Sequence, residues 1–295
     1  MEAFSMKDYL IYTDSTADLS TELIKELEVK IIPYELTIED KTYFDYPDRR
    51  ELAIKDFYNL LREGKMAKTS LVNVDRFIDI FEPELKGGND ILYVAFSSGL
   101  SGSTGCSYAA AEILKSKYPE RKLLIVDSLA ASMGQGLYAY LAVQKKRAGM
   151  PIEDLAAWLE ENKLKLCLWF TVDDLGHLRR GGRVSKAAAV LGSMLNIKPV
   201  LHVDNAGKLI PMAKIRGRKS ALKDLVDHLE QTGTDIKDQT IMISHGDCKD
   251  ECLQVAADVK QRFGVKNVFI NEIGPVIGTH SGPGTIALFF MGTER

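Results

Sequence analysis

The sequence predicts an α/β protein of two domains, and three observations lead to this prediction. The chain has 295 residues, a length at which one hydrophobic core begins to divide into two. Its first half alternates short apolar runs with helical segments, which is typical of a parallel sheet with helices on both faces. A hairpin signature interrupts this alternation in the second half. We therefore expect a doubly wound domain over residues 1–164 and an α+β domain over 165–295, with a mixed or antiparallel sheet.

The elements of the first domain follow the order that parallel strands with helical crossovers require. Apolar residues in short runs predict strands, and apolar residues three or four apart predict helices. Strands are predicted at 9–13, 29–36, 91–96 and 123–126. Helices are predicted at 20–27, 51–63, 74–85, 104–118 and 132–148, and from Pro151 to about residue 163.

A hairpin marks the second domain. Asp204-Asn205-Ala206-Gly207 lies between apolar stretches at 197–203 and 208–215, and such a turn joins antiparallel strands. Further strands are predicted at 166–171, 240–244 and 267–271, with a last apolar run at 286–290. Helices are predicted near 218–231 and 249–263. These elements together favour a sheet that contains antiparallel pairs.

Composition and charge argue against several classes of protein. The chain has 38 Lys and Arg against 41 Asp and Glu, and a net charge of −3 does not favour a general nucleic-acid binder. No apolar run approaches the ~20 residues that span a bilayer, and the first eight residues are too polar for a signal peptide. We therefore expect a cytoplasmic protein.

Cysteine and histidine do not occur at the spacings typical of metal sites. The cysteines are Cys106, Cys167, Cys248 and Cys252, and the histidines are His177, His202, His228, His245 and His280. No C-x-x-C, H-x-x-x-H or H-E-x-x-H pattern is present among them. We therefore expect no metal and no cofactor.

A loop of serines and glycines, from Ser97 to Gly102, follows the predicted strand 91–96 and leads into a predicted helix. Glycine lets backbone N–H groups approach a ligand, serine supplies rotatable donors, and a helix N-terminus favours negative charge. The loop therefore predicts an anion site, although such loops also serve as ordinary turns. It lacks the lysine of a phosphate-binding P-loop and the glycine spacing of a nucleophile elbow.

Polar residues also follow two other predicted strands. Asp14, Ser15 and Asp18 follow the first strand, and Asp127 and Ser128 follow the fourth. Because parallel strands deliver their carboxyl ends to one edge of the sheet, we expect these residues to meet at one crevice. Asp14 and Asp18 can also have purely structural roles, because aspartate before a helix commonly forms an Asx turn or caps the helix N-terminus.

Four blocks of the sequence stand out, in this order: residues 14–19 (DSTADL), 97–102 (SSGLSG), 178–185 (LRRGGRVS) and 274–284 (GPVIGTHSGPG). Together they resemble the DegV family of bacterial fatty-acid-binding proteins, and the resemblance covers nearly the whole chain. The resemblance implies two α/β domains that enclose one long-chain fatty acid, with the tail buried and the carboxylate at the domain boundary. The family includes the lipid-carrying B subunits of bacterial fatty acid kinase.

The resemblance also implies which residues hold the carboxylate. The threonine of a Thr-Ser pair corresponds to Thr69, and a serine of the loop corresponds to Ser98 or its neighbour Ser97. The arginine of the Gly-Gly-Arg block and the histidine near the last Gly-Pro-Gly correspond to Arg183 and His280. The residues expected to support these loops are Gly99, Asp14, Ser15 and Thr279.

The resemblance implies a carrier without turnover of its own. Such a carrier presents its fatty acid to a separate ATP-dependent kinase subunit and carries the acyl phosphate to phospholipid synthesis. Two basic clusters suit docking to that kinase or transiently to an anionic membrane surface, or are simply solvated. The clusters are Arg179, Arg180, Arg183 and Lys186, and Lys214, Arg216, Arg218 and Lys219.

An enzyme remains the alternative. A serine acyl-hydrolase would use Ser98 with His280, and a small-molecule kinase is the other candidate because the family's fold is related to that of dihydroxyacetone kinases. The sequence lacks the nucleophile elbow of such a hydrolase and the phosphate-binding loop of such a kinase, which argues against the two alternatives respectively. The chain also departs from the family after Thr69-Ser70, where Leu71-Val72-Asn73 replaces the usual polar residue and proline.

Overall fold

The structure, a computed structural model, describes residues 8–185 and 196–295. The described strands are β1 (Tyr9–Asp14), β2 (Lys30–Ile32), β3 (Glu35–Ile38), β4 (Lys41–Phe44), β5 (Ala67–Ser70), β6 (Asp90–Ala95), β7 (Leu123–Asp127), β8 (Leu166–Thr171), β9 (Ile197–Val203), β10 (Leu209–Arg216), β11 (Thr240–His245), β12 (Asn267–Glu272) and β13 (Ile286–Met291). The described α-helices are α1 (Thr21–Leu27), α2 (Ile54–Arg62), α3 (Val74–Lys86), α4 (Ser103–Lys117), α5 (Met133–Arg147), α6 (Ile152–Asn162), α7 (Gly176–Arg180), α8 (Arg218–Thr232), α9 (Lys249–Phe263) and α10 (Pro275–Ser281).

The first sheet is parallel, with the strand order β2-β1-β6-β7. Side chains of α1, α5 and α6 form the core on one face, and side chains of α3 and α4 form it on the other. The predicted doubly wound arrangement is therefore confirmed. The strand order reverses between β1 and β6, so the loops after these two strands diverge and leave a crevice at the sheet edge.

The second sheet is mixed, as predicted, with the order β10-β9-β8-β13-β11-β12. Its neighbouring strands are antiparallel except β11 and β12, which run parallel. Successive side chains of a strand point to opposite faces. On β8, Leu168 and Phe170 accordingly join the core that contains α5, whereas Cys167 and Trp169 join the core of α8 and α9. Helix α5 thus packs against both large sheets.

A small antiparallel sheet, in the order β4-β3-β5, was not predicted. The single strand predicted at 29–36 is wrong, because β2 ends at Ile32 and β3 begins at Glu35. Pro33 lies in the break, where its missing N–H cannot continue a ladder of hydrogen bonds. Strands β4 and β5 have four residues each and no apolar alternation, so periodicity does not detect them.

Two short helices were also not predicted, α7 and α10. Helix α10 lies in the sequence Gly-Pro-Val-Ile-Gly-Thr-His-Ser-Gly-Pro-Gly, which is typical of turns, but Pro275 occupies the first turn of the helix, where proline is favoured. Gly278 is needed for packing. A Cβ at this position would lie 2.7 Å from Phe57 Cε1 and 2.8 Å from the Tyr58 hydroxyl on α2.

The domain boundary, the first basic cluster and the absence of a membrane span can be compared with the described part of the chain. The boundary between residues 164 and 165 stays a prediction; it falls in the short 3₁₀ helix Lys163–Lys165, just before β8 opens the second sheet. Lys186, a member of the first basic cluster, lies outside the described residues. Within the ranges that the structure describes, no helix is both long and apolar enough to cross a membrane.

Candidate functional site

A cavity of about 240 Å³ is lined by residues from the second large sheet, from β5 of the small sheet, from the loops after β6 and β7, and from α10. Most of its lining is apolar, and the apolar residues are Leu71, Phe96, Leu100, Ala131, Leu168, Phe170, Leu178, Val203, Leu209, Ile273, Val276, Ile277, Ala287 and Phe289. Apolar walls that face water cost ~25 cal/mol per Å² of apolar surface, so a cavity with this lining suits an apolar ligand.

Thr69, Arg183 and His280 lie at the boundary between this cavity and an outer groove of about 590 Å³, because they line both. The three residues come from distant parts of the chain: β5, the turn after α7, and α10. The outer groove is also lined by Lys65, Lys68, His177 and Arg180. The mouth of an apolar cavity is thus surrounded by basic and hydroxyl groups.

His280 donates to Thr69, with 2.8 Å between His280 Nε2 and Thr69 Oγ1. Burial, with the charge of Arg183 as a second cause, lowers the pKa of His280 to about 4, so the ring is neutral at pH 7. Its Nδ1 is buried without a hydrogen-bond partner among the described residues. We therefore assign the proton to Nε2, which makes Thr69 Oγ1 the acceptor and leaves the Thr69 hydroxyl free to donate to a ligand.

Arg183 places a positive charge at this boundary. Its Nε donates to Leu100 O at 3.2 Å and its Nη1 to Gly181 O at 2.5 Å, which hold the guanidinium in place through backbone carbonyls. Burial lowers the pKa of Arg183 from its ordinary value. No carboxylate within residues 8–185 and 196–295 forms an ion pair with it. A half-buried guanidinium without a counter-ion favours an anionic ligand.

Among the loop serines, Ser101 lines the cavity, and sequence reasoning missed it. Ser97 and Ser98, the predicted ligands, do not appear in the cavity lining that the structure describes. The Ser97 hydroxyl donates to Gly207 O at 2.8 Å, in the hairpin between β9 and β10. Ser98 is exposed, and its N–H donates to Asp127 Oδ1 at 3.2 Å. The only signal for Ser101 was its membership of the same Ser/Gly loop.

Of the four residues predicted to support the site, Thr279 lines the outer groove and Ser15 contacts a cavity residue, whereas Asp14 and Gly99 are in neither lining that the structure describes. Asp14 is fully buried and accepts hydrogen bonds from the Tyr93 hydroxyl at 2.7 Å and from Gln135 Nε2 at 3.0 Å. Ser15 Oγ accepts the N–H of Tyr34, a cavity residue, at 3.1 Å. Thr279 Oγ1 donates a hydrogen bond to Pro275 O at 2.8 Å, and the Gly99 N–H donates one to Ser97 Oγ at 3.1 Å.

Asp18 connects the crevice of the first sheet to the second half of the chain. Its carboxylate accepts hydrogen bonds from Ser132 Oγ at 2.5 Å and from Gly274 N at 2.8 Å, and it is 2% exposed. Ser132 lines the cavity, and Gly274 directly precedes α10, which carries His280. Burial raises the pKa of Asp18 to about 7. The N-cap role expected for Asp18 is not observed, because Ser20 caps α1; the Asp18 carboxylate instead bonds two residues that are distant in the sequence.

The geometry does not favour the enzymatic alternatives. His280 Nε2 is bonded to Thr69, and Ser98 is not in the cavity lining described above, so a Ser98–His280 pair has no structural support. Among the described residues, no group of three or more His, Cys, Asp and Glu is placed to hold a metal ion. The arrangement supplies hydrogen-bond donors and one positive charge next to an apolar cavity.

The fold and this cavity define a class of two-domain α/β proteins with an enclosed apolar pocket and a polar mouth. The chain belongs to the DegV family: the family model, described as uncharacterised protein of the DegV family, matches residues 9–293. This chain is 47% identical to a DegV domain-containing protein of Clostridium perfringens, and the alignment covers 98% of this chain and 99% of the relative.

Solved structures of this family share the fold. A DegV family protein from Thermus thermophilus, described by its fatty acid binding, has a TM-score of 0.86 at 28% identity, covering 96% of this chain and 99% of that one. DegV from Bacillus subtilis, described as a fatty acid binding protein, has a TM-score of 0.83 at 28% identity, covering 97% and 100%. The family resemblance and the predicted fold class are therefore confirmed.

Proposed function

We propose that this protein binds one long-chain fatty acid, with its tail in the cavity and its carboxylate at Thr69, Ser101, Arg183 and His280. One observation carries the proposal: an enclosed apolar cavity is bounded by an arginine that has no carboxylate partner among the described residues. The fatty acid binding of the Thermus and Bacillus proteins supports it. No cofactor is required for this function.

The tail and the head group have different tasks in this proposal. At ~0.8 kcal/mol per buried methylene, roughly fifteen methylenes contribute at most ~12 kcal/mol. A hydrogen bond to a charged group contributes ~1.5–3 kcal/mol. The tail therefore supplies most of the affinity, whereas Thr69, Ser101 and Arg183 determine which end of the ligand lies at the mouth.

The second part of the proposal is that the protein is the lipid-binding subunit of a fatty acid kinase system. It presents the carboxylate through the outer groove to a separate catalytic subunit, carries the acyl phosphate toward phospholipid synthesis and has no turnover itself. The basic rim of the groove, with Lys65, Lys68 and Arg180, suits a phosphorylated head group or an anionic partner surface. We place the carrier in the cytoplasm, with transient contact to the membrane where the lipid is exchanged.

The direct test is the identity of the small molecule that purifies with the protein. Organic extraction of the native protein followed by mass spectrometry should recover about one long-chain fatty acid per chain. The stripped protein should bind added palmitic acid and should turn over neither ATP nor a chromogenic short-chain ester. Recovery of no acyl species together with failure to bind palmitic acid contradicts the proposal, and turnover of either substrate by the isolated chain favours the enzymatic alternative.

A further inference from the structure

A second serine, Ser103, connects the segment that follows Thr69 and β5 to the loop that carries Ser101. It is the first residue of α4, and its side chain is fully buried. Its Oγ accepts the N–H of Val72 at 3.0 Å, in the segment directly after β5. The same Oγ lies 3.1 Å from Ser101 Oγ, and the Ser103 N–H lies 3.3 Å from Ser101 Oγ. One buried hydroxyl therefore joins the loop after β5 to the loop after β6.

The directions of these hydrogen bonds follow from a count of donors and acceptors. An amide N–H can only donate, so Ser103 Oγ accepts from Val72 and keeps its own proton to give. A buried hydroxyl proton without an acceptor is costly, and Ser101 Oγ is the acceptor at hydrogen-bond distance. The hydroxyl of Tyr34, another cavity residue, lies near both serines but has hydrogen-bond geometry to neither within the part of the chain that the structure describes.

Ser101 is thereby left with one free direction. Its oxygen receives both the O–H and the N–H of Ser103, which occupy the two lone pairs of a serine hydroxyl. The Ser101 proton must then point away from Ser103. Because Ser101 lines the cavity, the acceptors that remain are the Tyr34 hydroxyl and a ligand, and a carboxylate is the stronger acceptor of the two.

We propose that Ser103 is a positioning residue, which holds the Ser101 hydroxyl as a donor aimed at the ligand's carboxylate. The inference rests on the proposed function and adds a residue that does not itself touch the fatty acid. A hydroxyl rotor has three staggered positions. Releasing the Ser101 rotor therefore lowers its population in the donating position, and the affinity for a carboxylate, by about threefold.

The test compares palmitic acid with methyl palmitate, which has the same tail and no charge. In Ser103→Ala the Kd for palmitic acid should rise about threefold or more, while the Kd for the ester stays unchanged. Ser103→Thr keeps the hydroxyl and should restore the wild-type ratio of the two Kd values. In a Ser101→Ala background, adding Ser103→Ala should not change the ratio of the two Kd values any further.

The results that would contradict the positioning role of Ser103 differ from those that would contradict the proposed function. Equal weakening of acid and ester in Ser103→Ala, or a further change of their ratio in the Ser101→Ala background, overturns the positioning role. If wild-type protein binds neither ligand, the proposed function is wrong and this inference with it. Should Ser103→Ala not fold, Ser103→Cys applies the same test, because a thiol has similar size and is a weak donor and acceptor.

Discussion

In the proposed function, two hydroxyls, Thr69 and Ser101, donate to the carboxylate because neighbours occupy their acceptor positions. His280 Nε2 lies 2.8 Å from Thr69 Oγ1, and Ser103 Oγ lies 3.1 Å from Ser101 Oγ; we assign His280 and Ser103 as the donors. A carboxylate without such donors would lose the hydration that it has in water and gain little in return. The charge-reading part of the site therefore consists of a few side chains whose orientation depends on buried partners.

The serine that reads the carboxylate can be identified by substitution. Ser101→Ala and Thr69→Val should each weaken palmitic acid by ~1.5–3 kcal/mol and methyl palmitate much less, because each deletes a donor to a charge that the ester lacks. Ser98→Ala is the matched control and should bind both ligands as the wild type does, since Ser98 lies outside the described cavity lining. Isothermal titration of stripped protein measures both affinities. A large loss in Ser98→Ala with none in Ser101→Ala would restore the sequence-based assignment.

Asp18 predicts a pH dependence of stability. Burial raises its pKa to about 7, above the value near 3.8 of the unfolded chain, so the folded state binds the proton more tightly. The stability that this group contributes is present below about pH 4 and is lost as pH rises to 7. Asp18→Asn removes the penalty and suits the left-handed backbone at this residue, with φ of 50°. It should stabilise the protein at pH 8 by up to about 4 kcal/mol, with the difference shrinking toward pH 4.

Urea denaturation between pH 4 and 8 measures this difference. Asp48→Asn is the control, because Asp48 is exposed and pairs with Arg50 at the surface. It should show no stabilisation that grows with pH. A difference between Asp18→Asn and wild type that is independent of pH would show that the carboxylate is ionised throughout.

At the scale of single residues, the sequence pointed to Ser97 and Ser98, whereas the described cavity lining contains Ser101 of the same loop. Ser97 and Ser101 are four positions apart in a tight turn, in which the Ser101 N–H donates to Ser97 O at 3.1 Å. That turn directs one hydroxyl to the hairpin and the other to the cavity. Thr69 and His280 are hydrogen-bonded across 211 positions, and only the family resemblance brought them together before the structure did.

At the scale of elements, the hairpin between β9 and β10 contacts the Ser/Gly loop closely enough to require glycine. A Cβ on Gly99 would lie 2.4 Å from Ala206 O and 2.7 Å from Gly207 C, both of which are backbone atoms. Ser97 adds its hydrogen bond to Gly207 O at 2.8 Å. Since Val203 and Leu209, at the ends of the hairpin strands, line the cavity, this contact also closes one of its walls.

Gly99→Ala should therefore destabilise the protein by about 1–3 kcal/mol, because the backbone on either side must shift to admit a methyl group. Gly105→Ala is the matched control: nothing lies within 4 Å of a Cβ there, and the residue is inside α4. It should stabilise by about 0.5–1 kcal/mol. Urea denaturation compares the two. Equal stability of Gly99→Ala and wild type would mean that loop and hairpin are not in contact in solution.

Most elements could be predicted from periodicity, and the failures have identifiable causes. Long amphipathic segments such as α3 and the buried strand β6 were located to within one or two residues. The small sheet and α10 were missed because their stability comes from tertiary contacts, such as that of Gly278 with α2, and not from an apolar pattern of their own. Those elements carry Thr69 and His280, two of the four residues that we propose to hold the carboxylate.

At the scale of the whole molecule, the two large sheets and their strand direction followed from the sequence, but the cavity did not. Leu168, Phe170 and Phe289 line the cavity and also belong to the hydrophobic core. A leucine that faces a ligand and a leucine that faces another leucine are chemically identical. Only the relative position of the sheets, with α5 packed against both, shows which apolar side chains enclose space.

The central claim is that one fatty acid occupies this cavity with its carboxylate toward the basic groove. The most direct measurement is a crystal structure of the protein bound to palmitic acid. The account predicts one acyl chain in the cavity beside Phe170 and Phe289, with its carboxylate oxygens within hydrogen-bond distance, roughly 2.5–3.2 Å, of Thr69 Oγ1 and Ser101 Oγ. An acyl chain bound elsewhere, or bound here with its carboxylate at the opposite end of the cavity from Thr69 and Ser101, would contradict it.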